Sequence, residues 1–346
     1  MPNQTDRSRI WPSLIGVAIS VGLLVLILRH VDLGQVGQNL ASARALPLAM
    51  AVVVATLTFP IRAIRWRILL RDPQGDPLPL VPAWHATAIG FMANNVLPFR
   101  AGELIRPFAI TRLAGVRFTS ALSSIAVERI FDGLTITAML TLALLSPGLA
   151  PGVSVGGVSV RHIALVAGGV SAGALVAALG VVAWPLAAER AVRAIVPAHH
   201  LADRIVGLIE GVRQGLVALN SPSRVAGVVF WSVVLWLVNA LSFYVGFAAF
   251  GIDVTFIGAL LLQGLVSFGV SVPSTPGYIG PFEAAIVAAL ALYGVGESRA
   301  FSFAIAYHVT TFVPITLLGL WSVAQTPIRL GDLRRRPVPA EPDRPL

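Results

Sequence analysis

Apolar residues occupy this chain in long unbroken blocks. Those at 10–28, 46–61, 119–145, 162–184, 225–250 and 300–323 approach or exceed the roughly 20 residues that cross a bilayer as a helix. Two further blocks, 81–114 and 256–293, are interrupted. The first is broken by Asn94-Asn95-Val96-Leu97-Pro98-Phe99-Arg100-Ala101-Gly102-Glu103. The second is broken by Pro273-Ser274-Thr275-Pro276-Gly277-Tyr278-Ile279-Gly280-Pro281. Proline removes an amide donor and glycine weakens a helix, so each helix breaks there. Arms of about 12–18 residues rise only about 1.5 Å per residue, and several are too short to span the hydrocarbon.

Each broken block either crosses once or dips in and returns. Arginine decides between these. If both return and the N-terminus (1–9) is cytoplasmic, then Arg62, Arg65, Arg67, Arg71, Arg112, Arg117 and the Arg334-Arg335-Arg336 tail all fall inside. So does the 185–224 segment with Arg190, Arg193, Arg204, Arg213 and Arg224. Single crossings would place that segment outside, against the positive-inside rule. Trp11, Trp66, Trp84, Trp184 and Trp321 fall at the same cytoplasmic ends, where an interfacial ring is expected. The expected fold is therefore an all-α integral membrane protein of six full transmembrane helices plus two oppositely oriented re-entrant helical hairpins. Its halves, about 10–146 and 162–323, form an inverted repeat. A Pro-kinked single crossing is the plainer alternative for each interrupted block. Residues 147–161 read as an outer loop. Within 185–224, the apolar positions 201, 205, 208, 209, 212, 216 and 219 form one face of an interfacial helix. The tail, 324–346, reads as disordered and cytoplasmic.

Of the 346 residues, 56% are hydrophobic and 12% charged, which excludes one large soluble core. The net charge of +9 rests on 25 arginines and no lysine. These arginines flank apolar spans, so the partner they imply is anionic lipid, not nucleic acid. The chain has no cysteine. No nucleotide or hydrolase motif stands in a suitable context, so no cofactor, metal or catalytic residue is expected.

Charges inside a bilayer are expensive and mark function. Arg100, Glu103 and Arg106 lie at the first break, and Glu128, Arg129 and Asp132 lie mid-block in 119–145. Glu128 and Asp132, four apart, share one helix face. Arg62 and Arg65 follow Pro60, while Glu283 follows the second break beside Thr275 and Tyr278. Guanidinium groups suit phosphate, as do the free amides of a helix that restarts after a break. Arg100, Arg106 and Arg129 are therefore the expected phosphate contacts. Glu103, Glu128, Asp132 and Glu283 are expected to position those arginines or carry a proton. The same charges could instead simply neutralise one another. Asn94 and Asn95 are expected to cap freed backbone groups, and His308 to be a hydrogen-bonded packing residue.

These motifs, with Glu128-Arg129-Ile130-Phe131-Asp132-Gly133 between them and Phe282-Glu283 after the second, resemble the membrane region of lysylphosphatidylglycerol synthase, the multiple peptide resistance factor. The resemblance covers about 10–323. It implies a stand-alone lipid translocase or flippase-like transporter without the aminoacyl-transferase domain, in a bacterial inner membrane. It also widens the candidate lipids to aminoacylated, hopanoid and polyprenyl-linked ones. The alternatives are a scaffold partner of a lipid-modifying enzyme or glycosyltransferase, and a membrane transferase with Glu128 or Asp132 as base. For the transporter, replacing Arg100 or Glu128 by Ala is expected to abolish transport with expression near normal.

Overall fold

The computed structural model describes residues 4–98, 100–145, 184–196, 221–271 and 275–329, with isolated positions at 154–155, 158–159, 162, 166, 169, 173, 202, 206 and 331. The described chain is helical apart from a two-residue antiparallel ladder, β1 (Ser154–Val155) with β2 (Val158–Ser159). The helices, numbered in chain order, are α1 (Gln4–Leu28), α2 (Leu33–Ala41), α3 (Ala45–Thr56), α4 (Thr58–Leu69), α5 (Leu80–Val96), α6 (Gly102–Ala114), α7 (Phe118–Leu144), α8 (Pro185–Ile195), α9 (Pro222–Phe247), α10 (Phe256–Gly269), α11 (Pro281–Ala291) and α12 (Glu297–Ala324). Most of 162–184, most of 201–219 and most of the tail lie outside the described residues, and the expectations for those segments rest there.

Three runs are long and apolar enough to cross a membrane: Ala45–Leu69, Pro222–Phe250 and Glu297–Ala324. A fourth candidate is Gly16–Leu28 joined to Leu33–Ala41, bent by 89°. The bend follows from Asp32, whose carboxylate accepts the amides of Gly34 and Gln35 and so starts α2 in a new direction. The sequence reading has no counterpart to α2. The helix at 46–61 also runs further than expected. Pro60 leaves the Thr56 carbonyl without its helical donor, so α3 and α4 part at Leu57 without separating, and the run continues to Leu69. Arg62 and Arg65 therefore lie within the candidate span Ala45–Leu69. At 27 residues α7 has the length to cross, but it carries Glu128, Arg129 and Asp132 in its middle.

Both interrupted blocks fold as two helices packed side by side. In the first, a Cβ on Gly102 would run into the Gly90 carbonyl and lie 2.6 Å from Asn94 Oδ1. Only glycine lets α5 and α6 approach this closely. The second pairs α10 with α11, with Gly269 close to Pro281 and Ala285 at the tip and Gly258 close to Tyr293 at the base. The partners are exchanged between halves: α5 lies on α12 where Met92 meets Gly319, and α10 lies on α7 where Gly264 meets Leu140. Two apolar cores result. One gathers α4–α7 around Trp66, Ile89 and Ile110, and the other gathers α9–α12 around Phe247, Leu262 and Phe303. The large outward residues, such as Leu46, Val53, Leu142, Val309 and Leu317, suit hydrocarbon contact. The protein is a multi-pass membrane protein.

Trp66 departs from the expected interfacial belt. It is fully buried, and its indole N–H donates to Ser124 Oγ at 2.8 Å. It shares a helix with Arg62 and Arg65, and that face turns toward α6 and α7 instead of a membrane surface. Trp184 and Trp321 are exposed.

Candidate functional site

Two carboxylates on one face of α7 organise the buried charges. Glu128 and Asp132 stand one helical turn apart, and arginines reach them from three directions. From α4, Arg65 Nη1 donates to Asp132 Oδ1 at 2.5 Å and to Ser232 Oγ at 2.9 Å, while its Nη2 lies 3.0 Å from Glu128 Oε1. From α6, Arg106 Nη1 donates to Glu128 Oε1 at 2.9 Å, its guanidinium lying 3.9 Å from the centre of the Trp66 ring. The Gly90–Gly102 approach carries Arg106 to this position. On α7 itself, Arg129 Nη2 bridges Glu128 Oε1 at 3.2 Å and Asp132 Oδ2 at 3.1 Å. Trp236 Nε1 completes Asp132 Oδ1 at 2.9 Å from α9.

This network borders a cavity of about 510 Å³ between the first hairpin, α7 and the tip of the second hairpin. The first hairpin presents Asn94, Asn95, Arg100, Glu103 and Arg106 to it. Facing them are Arg129 and Asp132 of α7, Arg62 of α4 and Tyr278 of the second tip. Arg65 and Glu128, both fully buried, lie behind this wall and hold it.

Arg62 differs from the other arginines. Among the described residues it makes no hydrogen bond or ion pair. Its guanidinium sits 4.7 Å from the Phe91 ring centre and 5.6 Å from that of Trp236. It is 7% exposed.

The two hairpin tips meet at the cavity's edge. Arg100 Nη2 donates to the Val270 carbonyl at 3.1 Å, its guanidinium stands 5.8 Å from the Tyr278 ring, and Nη1 lies 3.6 Å from Glu103. Arg100 (φ 51°) and Tyr278 (φ 61°) are the described non-glycine residues with left-handed backbone. Asn94 Oδ1 accepts the Gly102 amide at 2.8 Å, one of the free donors where α6 restarts. Asn95 instead bonds across to Thr316 Oγ1 at 3.0 Å.

Thr275 and Glu283 do not reach the cavity. Thr275 bonds Ser20 of α1 at 3.1 Å. Glu283 accepts the Gly280 amide at 2.7 Å through Oε2, and its Oε1 lies 2.5 Å from His308 Nδ1. Their spacing of 25 residues carries no sequence signal for that pairing. Phe91 and Trp236 are site residues that the sequence reading omitted. The available signal was Trp236, an indole placed mid-span where an interfacial role makes no sense.

Residues 13–319 match the family described as the lysylphosphatidylglycerol synthase TM region. The chain is 30% identical over 335 residues to glycosyltransferase AglD of Haloferax volcanii, covering 88% of this chain and 52% of that protein. It therefore spans about half the length of that relative. It is also 24% identical over 318 residues to a UPF0104 membrane protein of Methanothermobacter thermautotrophicus, covering 87% and 90% respectively.

Proposed function

The chain belongs to the family of the lysylphosphatidylglycerol synthase TM region, and on that premise we propose that it translocates lipid headgroups across a bacterial inner membrane. The observation that carries this reading is the cavity itself. A pocket of about 510 Å³, edged by arginines and by two broken hairpins, gives a polar stop for a headgroup within an apolar helix bundle. Acyl chains would stay in the bilayer while the headgroup occupies the pocket. Both hairpins are read as re-entrant, entered from opposite faces, in an inverted repeat of six spans with both termini cytoplasmic. The exchanged α5–α12 and α10–α7 contacts support that symmetry, since a two-fold relation between halves would produce them.

Access would be controlled where the tips meet. Arg100 holds the Val270 carbonyl, and releasing it would open the cavity along Tyr278. Reconstitution tests this reading. Vesicles containing the protein should move acyl-labelled phospholipid between leaflets, read by dithionite quenching, and Arg100→Ala should slow that movement. Equal rates in protein-containing and empty vesicles, for every lipid tried, would refute translocation.

A second reading is favoured by the match to half of a protein named a glycosyltransferase. In it the chain is the membrane partner of a lipid-modifying enzyme. A stable complex recovered from membranes, with defects mapping to 201–219 and not to the cavity, would select it.

A further inference from the structure

We propose that the cavity selects a headgroup ending in a phosphate monoester, and that Arg62 receives it; this rests on the lipid-headgroup reading above. Charge balance carries the argument. Four guanidinium groups, those of Arg62, Arg65, Arg106 and Arg129, surround only two carboxylates, Glu128 and Asp132. Arg100 and Glu103 offset each other at the rim. The wall thus keeps two positive charges in excess.

The excess has an address. Arg65, Arg106 and Arg129 each pair with a carboxylate, whereas Arg62 meets only the faces of Phe91 and Trp236. A guanidinium more than nine-tenths buried, near Asp132 and Glu128 but in ion-pair contact with neither, is costly. Here it lines the cavity, so a ligand can supply the missing charge. Arg106 Nε and Nη2 and Arg129 Nε also have no hydrogen-bond acceptor. A phosphate monoester carries roughly 1.5 to 2 negative charges at neutral pH and three acceptor oxygens. It matches both the excess and the planar donors of arginine. A phosphodiester supplies one negative charge. A lysyl headgroup adds amines beside four arginines, and the cavity's Glu103 is already paired with Arg100. The lipid class of the family's name is therefore the poorest fit to this chain.

The experiment is binding of phosphatidic acid, phosphatidylglycerol and lysyl-phosphatidylglycerol to the full chain in nanodiscs, by native mass spectrometry. Phosphatidic acid should bind about tenfold more tightly than phosphatidylglycerol, and lysyl-phosphatidylglycerol most weakly. Arg62→Gln should remove most of the preference for phosphatidic acid, while Arg62→Lys keeps much of it. Equal binding of the three lipids, or a preference for the lysyl lipid, overturns the proposal. If Arg62→Gln does not fold, the order of the three lipids on the unaltered protein decides alone. Inorganic phosphate is the remaining arm. If it displaces phosphatidic acid at matched concentration, the ligand is free phosphate and the lipid assignment is wrong; weak competition supports the lipid. Translocation is scored separately. Selective phosphatidic acid binding without movement of any lipid keeps this proposal and defeats the translocase reading. Movement of the lysyl lipid but not phosphatidic acid does the reverse.

Discussion

The two broken hairpins each restart at a glycine, Gly102 opening α6 and Gly280 just before α11, and place an acidic residue in the first turn that follows, yet they use it differently. In the first, Glu103 stays half-exposed at the cavity, paired with Arg100 at 3.6 Å. In the second, Glu283 turns back into its own half, closing on the Gly280 amide and His308. Around it the rings of Phe243, Tyr307, Phe282 and His308 stack in sequence, with centroids 4.4 to 6.4 Å apart. The second hairpin's acidic residue is thus satisfied within its own half, while the first hairpin leaves arginine donors unused. The acidic side chain therefore closes on its own half in the second hairpin and lines the cavity in the first.

The largest test of this contrast is Glu128→Ala. It leaves Arg65 and Arg106 buried, without their shared carboxylate, and should cost about 3–5 kcal/mol, seen as loss of a monodisperse peak in fluorescence-detected size exclusion. Its fully buried position changes the sequence-based expectation of normal expression for that variant. Glu283→Gln removes one charge from a locally closed pair and should cost only about 1–2 kcal/mol, with the protein remaining folded. Next comes Gly102→Ala. Its Cβ meets Gly90 and Asn94, so the arms must separate at a cost of about 1–3 kcal/mol. Gly133→Ala, with open space around it in the interior of α7, should raise stability by about 0.5–1 kcal/mol, read as a higher melting temperature. Arg100→Ala acts on the meeting of the tips, not on either core. Stability should fall by about 1 kcal/mol or less, but a single cysteine introduced at Ser271 should label faster. Thr275→Val acts outside the cavity. It loses a bond to Ser20 worth about 0.5–1.5 kcal/mol and should not alter lipid binding.

Much of the first hairpin was legible in the sequence. Proline and glycine mark both breaks, and a charge in an apolar block stands out wherever it occurs. What a linear pattern lacks is azimuth and partnership. Arg62 and Arg65 lie three residues apart on one helix, yet Arg65 is locked to Asp132 and Glu128 while Arg62 faces the cavity. No local feature separates them, because the difference lies in α7 and α9. Trp66 was placed at an interface because it follows the apolar block. It is buried because Arg106, far away in sequence, needs its ring face. The sequence marks His308 as a hydrogen-bonded packing residue, but the identity of its partner, Glu283, comes from α11 and α12 lying against each other.

The backbone at the meeting of the tips adds a consequence for timing. Arg100 and Tyr278 both hold a left-handed conformation, which costs a non-glycine residue about 1–2 kcal/mol each. Closure is thus kept under tension from both sides of the seam. Under the proposed translocation, a headgroup that drew Arg100 off the Val270 carbonyl would let either residue relax, coupling the loading of the pocket to the parting of the seam.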